Sequence, residues 1–296
     1  MKIIVFGSFN IDLVYTLPHL PERGETLYCE KFEKHVGGKG LNQALAFKMA
    51  GAEVIAAGKV GADGDFLTDG LAAGGVDTSF VDTSGAVTGH TVISVGPDGQ
   101  NQMILFGGAN REITPDYCDR LLAAHPDADL IMTQYETSCV EYILEAANKA
   151  GIPTAVNPSP YVDKVKDLPW DRIDYIVLNE FEGESITGMS VPGDVVRALH
   201  ALGGGRVILT LGDKGSVYFD GEEEVRADAF RVDAVDTTGA GDTFTGYCLC
   251  SLLGGKKPAD ALTRASAASA IEVTRPGAAE TIPTADEVDA FLNARG

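Results

Sequence analysis

Residues 129–157 read DLIMTQYETSCVEYILEAANKAGIPTAVN, and this stretch decides the fold class. Asp129–Thr133 is an apolar run of strand length, and Pro153–Asn157 is another. Between them, Val140–Ala150 carries a helical pattern. A strand, a helix and a strand within about 30 residues make a βαβ unit, which joins parallel strands. The alternation continues outward. Lys2–Gly7 and Glu53–Ala57 read as strands before it, and Tyr175–Leu178 and Val207–Leu211 after it. Leu41–Ala50, Asp65–Ala73, Pro115–Ala124 and Asp194–Leu202 read as helices. Near-continuous apolar runs belong to strands buried on both faces. The expectation is an α/β protein, a mostly parallel central sheet with helices on both sides.

Two regions break the rhythm. Leu13–His35 holds too many turn breakers for a helix, and Glu25–Lys34 is strand-like and polar. Gly89–Phe106 reads as a hairpin, HTVISV and NQMILF around a GPDGQ turn. Together they predict a small antiparallel sheet over a cleft or against a partner, since a small sheet rarely stands alone. An ordinary edge hairpin is the alternative. The C-terminal third is helical at Gly241–Leu253, Pro258–Thr274 and Thr284–Ala294. With no repeat or linker, the expectation is one domain over 1–296, with lid segments at about 13–35 and 89–106.

Composition narrows the functions. Of 296 residues, 45% are apolar and 22% charged, enough to bury a large core without staples. Collagenous, disordered and disulfide-framework classes are excluded. The net charge of −20 repels nucleic acid and anionic lipid. An anion site in such a chain needs backbone N–H groups or metal ions. No apolar run approaches the roughly 18–20 residues of a membrane span. The opening MKIIVFGSFNID reads as a buried strand rather than a secretory signal. Cys29, Cys118, Cys139, Cys248 and Cys250 are scattered, without a CxxC pair, so reduced thiols and a cytoplasmic address are expected.

The strongest chemical signal is Asp236-Thr237-Thr238-Gly239-Ala240-Gly241-Asp242-Thr243-Phe244. A strand-like stretch, Arg231–Val235, precedes it and a helical pattern follows. Gly239, Ala240 and Gly241 let backbone N–H groups approach an anion at a helix start. Asp242 falls in the first helical turn, where a carboxylate is suited to take a proton from a hydroxyl attacking a phosphoryl group. A helix cap behind a tight turn is the alternative. The second signal, Gly37-Gly38-Lys39-Gly40-Leu41-Asn42-Gln43, is neither a P-loop nor a dinucleotide fingerprint. It offers donors to a polar neutral ligand, or is a glycine turn with a solvated lysine. The third is Gly7-Ser8-Phe9-Asn10-Ile11-Asp12 after the first strand. Asn10 and Asp12, two apart on an extended chain, can share a face and bind vicinal hydroxyls. An Asx-turn explains them equally well. Glu136, Asn179, Glu180 and Glu182 also follow apolar strands, which suggests one shared cleft at the strand ends.

These motifs resemble the PfkB carbohydrate kinase family. The resemblance rests on GGKGLNQA (37–44), followed by Gly51 and Gly61, and on DTTGAGDTF (236–244). GSFNID, TQYE, LNEFE, TLGDKG and VTRPGA follow in the family's order over nearly the whole chain. It implies the ribokinase-like three-layer α/β/α sandwich with a small β-sheet lid, and a homodimer through that lid. It implies ATP-dependent phosphorylation of D-ribose at the 5-hydroxyl. By that resemblance Asn10, Asp12, Gly38, Lys39, Asn42 and Glu136 line the sugar pocket, and Asp242 is the base. Gly239, Ala240 and Gly241 form the anion hole. Asn179, Thr210, Gly212 and Gly215 belong to the ATP site, and Asn179 and Glu182 organise Mg²⁺ through water. Asp236, Thr238, Glu272, Arg275, Gly277 and Thr281 match the loops that hold a monovalent cation, usually K⁺. Two positions depart from the family pattern: Leu41 stands where alanine is usual, and Glu272 where a small residue is common. A kinase for fructose, deoxyribose or an adenosine-like nucleoside is the alternative function. A silent sugar-binding regulator is another, although it would have no need of Asp242.

Overall fold

The computed structural model describes residues 1–97 and 99–295. Among the described residues the first half runs β1 (Lys2–Phe6), β2 (Asn10–Thr16), β3 (Lys31–Gly37), α1 (Lys39–Met49), β4 (Glu53–Gly61), α2 (Asp65–Ala73), β5 (Asp77–Gly85), β6 (Gly89–Val95), β7 (Asn101–Phe106), α3 (Pro115–Ala124), β8 (Leu130–Gln134) and α4 (Val140–Ala150). It continues through β9 (Thr154–Asn157), β10 (Tyr175–Asn179), α5 (Glu180–Thr187), α6 (Pro192–Gly203), β11 (Arg206–Thr210), β12 (Ser216–Phe219), β13 (Glu224–Ala227), α7 (Ala240–Leu253), α8 (Pro258–Glu272) and α9 (Ala285–Asn293).

The large sheet has the order β13-β12-β11-β10-β9-β8-β1-β4-β5. It is parallel from β11 to β5, and β12 and β13 close one edge antiparallel. β1 shows why its sequence is uninterrupted in hydrophobicity. Ile3 and Val5 enter one core with residues of α1, α7 and α8, while Ile4 and Phe6 enter another with residues of α3 and α4. Alternate residues of a strand point to opposite faces, so a strand covered on both must be apolar throughout. Local signals set the helix ends. The Thr114 hydroxyl accepts from Tyr117 N–H ahead of Pro115, and α4 stops at Gly151 with φ 74°.

The small sheet has the order β3-β2-β6-β7. The antiparallel expectation holds for β2–β3 and β6–β7, but the central pair β2–β6 is parallel, with Asn10 opposite Gly89. Both strands leave the main sheet in the same direction, so they run side by side. The lid starts at Asn10 rather than Leu13, and residues 25–30 are not strand: pairing with β2 begins only at Lys31. Asp98 of the expected GPDGQ turn lies outside the described residues. Arg231–Val235 is not a strand either. Val235 N–H donates to Val273 O, a single anchor at the end of α8 in place of a ladder, and its side chain is exposed. Among the described residues no helix is long and apolar enough to cross a membrane.

Candidate active site

The ends of β1, β8 and β10 and the starts of α1, α5 and α7 meet on one side of the large sheet. Gly38 caps α1 at φ 94°, a left-handed conformation that favours glycine, and a Cβ there would lie 2.7 Å from Ser8 O. Leu41 N–H donates to Ser8 O at 3.1 Å, which docks α1 onto the β1–β2 turn. This brings Lys39 and Asn42 to the strand-end cleft that Asn10 enters at the start of β2. Asn10 is buried, and its Oδ1 accepts from Asn110 Nδ2 at 2.8 Å. Asp12 lies two residues further on the same face, packed against Gly37 and hydrogen-bonded by Thr91. Burial pushes its carboxyl up to about 6; Glu136 adds to the shift, while Thr91 and His35 oppose it. Glu136 accepts from the Ser8 hydroxyl, and from Lys39 N–H at 3.3 Å. A cavity of about 410 Å³ is lined by Asn10, Asn110, Arg111 and Glu136, under Leu105 and Phe106 of the lid. Asp12, Gly38 and Asn42 do not line it directly.

Asp242 closes the adjoining space. Gly239 caps α7 at φ 84°, and a Cβ on it would come within 2.7 Å of Glu272 Oε1. Asp242 N–H donates to Gly239 O at 2.8 Å, fixing the carboxylate in the first turn. That carboxylate is buried and accepts from Gln43 Nε2 at 2.8 Å and Asn42 Nδ2 at 3.1 Å. A second cavity, of about 230 Å³, is lined by Lys39, Asn179, Glu182, Thr210, Gly239, Gly241 and Asp242. Asn179 and Glu182 form a capping box on α5: Asn179 Oδ1 accepts from Glu182 N–H at 2.9 Å, and Glu182 Oε2 from Asn179 N–H at 3.0 Å. Ala240 does not line the cavity; its carbonyl accepts from Ser269 Oγ at 2.8 Å. Gly212 and Gly215 shape the β11–β12 turn without lining the cavity.

The six residues expected at a cation site do come together. Asp236 accepts from Thr238 N–H at 2.9 Å and Gly277 N–H at 3.2 Å, tying two loops. Burial raises the Asp236 carboxyl, but these hydrogen bonds win and hold it below the usual range. Thr281 Oγ1 donates to Gly277 O at 3.2 Å, Arg275 Nη1 to Thr281 O at 3.3 Å, and Arg275 N–H to Glu272 O at 2.9 Å. The Glu272 side chain is 0% exposed, and neither carboxylate oxygen has a hydrogen bond of good geometry. Burial pushes this carboxyl up to about 8, with Asp242 and Asp236 adding to the shift. Thr243 is near enough to ease it without reaching bonding geometry.

The family profile of the pfkB family carbohydrate kinases matches residues 1–285. The chain belongs to that family. It is 34% identical to a ribokinase of Staphylococcus aureus, over 97% of this chain and 98% of the relative. It is 32% identical to a deoxyribokinase of Salmonella typhi, over 99% of each. The solved structure of Arabidopsis thaliana ribokinase, complexed with ribose and ATP, superposes with a TM-score of 0.90 at 30% identity, covering 98% of both chains.

In this pfkB kinase Lys39 stands among several carboxylates. Burial pulls the Lys39 ammonium down, but Asp242, Glu136 and Glu182 outweigh it and hold the group above its ordinary value. Burial pushes Asp242 and Glu136 up, and Lys39 opposes both without cancelling the effect. Leu41, the departure nearest the motif, is 0% exposed within the core and lines neither cavity. Sequence reasoning quoted Gln43 within the second motif without giving it a role, and missed Asn110, Gln134 and Asn157; Asn110 holds Asn10, Gln43 holds Asp242, and Gln134 and Asn157 hold Gln43. Only Asn110, straight after the GGA turn (107–109), carries a readable local signal.

Proposed function

We propose that this pfkB kinase transfers the γ-phosphoryl group of ATP to the 5-hydroxyl of D-ribose, giving ribose 5-phosphate and ADP. The observation that carries this reading is Asp242. It sits on the wall of the cavity beside the glycine turn, linked through Asn42 and Lys39 to the motif that abuts Asn10 and Glu136. A hydroxyl held on the Asn10, Asp12 and Glu136 side delivers its proton to Asp242. Its oxygen forms the new P–O bond as the bond from the γ-phosphorus to ADP breaks. Backbone N–H groups of Gly239 and Gly241, the two turn residues on the cavity wall, stabilise the charge on the transferring group. Thr210 and the Gly212–Gly215 turn belong to the nucleotide side. Asn179 and Glu182 suit Mg²⁺ held through water, because the capping box fixes a carboxylate on the cavity wall. When bound with ATP, the ion offsets phosphate charge in a chain of net charge −20.

A panel of D-ribose, 2-deoxyribose, fructose and adenosine, read by ADP release, tests the function. The highest kcat/KM is expected with ribose. Turnover of 2-deoxyribose with none of ribose would establish the second reading, which the deoxyribokinase relative favours. Absence of ADP release with every acceptor would leave a silent binder.

The loops holding Asp236, Thr238, Glu272, Arg275, Gly277 and Thr281 fit a monovalent cation, K⁺ by family likeness. The fit rests on the unpartnered carboxylate of Glu272 and on Asp236, which ties both loops. Activity and Tm are expected to rise with KCl more than with NaCl or choline chloride at matched ionic strength. Screening of the acidic surface acts alike for all three salts. Superimposed curves would overturn the site.

A second copy of the chain on the lid completes the proposal. Met103, Ile104, Leu105 and Phe106 of β7 are 59%, 70%, 45% and 51% exposed, a continuous apolar edge. Sedimentation is expected to give a dimer, and Ile104→Asp a monomer; a monomeric wild-type protein overturns it. The chain reads as one kinase domain, with β2 and β6 continuing from the main sheet into the lid. Its cysteines are free among the described residues, in keeping with a cytoplasmic address.

A further inference from the structure

We propose that Gln43 and Gln134 are positioning residues that orient and hold ionised the carboxylate of Asp242; this rests on the reading of Asp242 as the base. Gln43 Nε2 donates to Asp242 Oδ1 at 2.8 Å, and Gln43 Oε1 accepts from Gln134 Nε2 at 2.5 Å. Both glutamines are 0% exposed and neither lines a cavity; Gln43 meets the cavity wall through Asp242 at 2.8 Å and, at the longer distance of 3.4 Å, through Asn157.

A glutamine amide fits its site in two orientations of nearly equal shape, and its neighbours decide between them. Here the neighbours agree. Asn157 Nδ2 is committed to Val177 O at 2.9 Å, which turns Asn157 Oδ1 toward Gln43 Nε2 at 3.4 Å. Gln134 donates from the other side. Reversal of Gln43 would set its oxygen against the Asp242 carboxylate, against Asn157 Oδ1, and its NH₂ against that of Gln134. The relay runs from β8 through α1 to α7, with β9 bracing it.

The arrangement has a cost that packing does not explain. Gln134 Oε1 is buried without a partner, pressed toward Gly7, where a Cβ would lie 2.3 Å away. An apolar side chain of equal length would leave no such orphan. Retaining an imperfect polar pair follows if the donor to Asp242 is what matters. Charged groups also bear on Asp242 from around it: Lys39 of α1, Glu182 of α5, Glu272 of α8 and Glu136 after β8. Of these, Lys39 alone favours the ionised carboxylate, so neutral donors add stabilisation without adding another charge to the cavity wall.

Gln43→Met and Gln134→Met keep side-chain length and remove the amides. The expected kcat falls about 10- to 100-fold for Gln43→Met and about 5- to 10-fold for Gln134→Met. KM for both substrates is expected to stay unchanged. The acid limb of the pH profile moves up, because the charged carboxylate has lost a donor. Gln43→Glu, which keeps the shape, should give the same loss and a larger shift, and serves if the methionine variants do not fold. The double variant Asp242→Asn/Gln43→Met should be no slower than Asp242→Asn alone, since Gln43 acts through Asp242. A KM effect at unchanged kcat, an unmoved acid limb, or an additive loss in the double variant overturns the relay. Asp242→Asn in the same assay separates the two readings. If it is inactive while the glutamine variants match wild type, the relay alone fails. If it is active, the base reading fails and the relay with it.

Discussion

Asp242→Asn is expected to lower kcat by about 10²–10⁴-fold while leaving the binding of ribose and ATP intact. The amide is nearly isosteric with the carboxylate but takes up no proton at working pH. Phosphoryl transfer passes through a loose transition state in which positioning and charge stabilisation do much of the catalysis. That alone would place the loss toward the lower end. Two local effects push it the other way. Asp242 accepts from both Asn42 and Gln43, and an amide offers one oxygen where two were used, so one donor must meet an N–H. The substitution also leaves Lys39 with one carboxylate fewer beside it. Steady-state kinetics alongside calorimetric titration of each substrate separates these contributions. Retention of more than about a tenth of kcat would remove Asp242 as base, and loss of binding would make it structural.

The parts of this molecule that could be read from sequence are those whose cause is local. β1, β8 and β9 are covered by helices on both faces, so they are buried at almost every position, and the apolar runs Ile3–Phe6, Leu130–Met132 and Ala155–Val156 announce it. β5, the edge strand, mixes exposed and half-buried residues through DTSFVDTS and buries only Gly85, and β13 is largely half-exposed. Neither resembles a buried strand, and pairing alone makes them one. Arg231–Val235 is the reverse case, a strand-like composition with no neighbouring strand to pair with.

The site divides in the same way. Gly38 and Gly239 are legible because a left-handed cap demands glycine where it stands, and the residues after each glycine are carried to the cleft by the helix. Gln134 meets Gln43 across 91 residues, and Asn110 meets Asn10 across 100. No local pattern marks Gln134, and the turn before Asn110 does not say which residue it meets, because both contacts are made by topology. Leu41 and Glu272 illustrate the remaining gap. Sequence position put Leu41 within GGKGLNQA as a departure from the family pattern, but the helical turn aims it into the core. Glu272 stood out only as a large residue where a small one is common, and the fold buries its carboxylate against Gly239.

Asp12→Ala is expected to raise KM for ribose by about 5- to 150-fold, corresponding to roughly 1–3 kcal/mol for hydroxyls left without an acceptor. KM for ATP should hardly move, because Asp12 lies on β2, on the side of Asn10 and Glu136, and does not line the cavity of Asp242. Direct mutation is open to the objection that Asp12 merely braces Gly37 and Thr91. The pH dependence answers it. Burial raises the Asp12 carboxyl to about 6, so above that pH it is ionised and accepts through both oxygens. As pH falls through about 6 it takes up a proton, and one oxygen becomes a donor. KM for ribose should therefore climb below that pH in the wild-type enzyme. In Asp12→Asn, which cannot titrate, that rise should vanish while KM stays above the wild-type neutral value. Glu136 and His35, the other titratable groups that act on Asp12, remain in the variant, so any slope they impose would persist there. If wild type and Asp12→Asn show the same rise, Asp12 does not hold the sugar. Equal damage to the KM of ribose and ATP in Asp12→Ala would instead assign it to the framework.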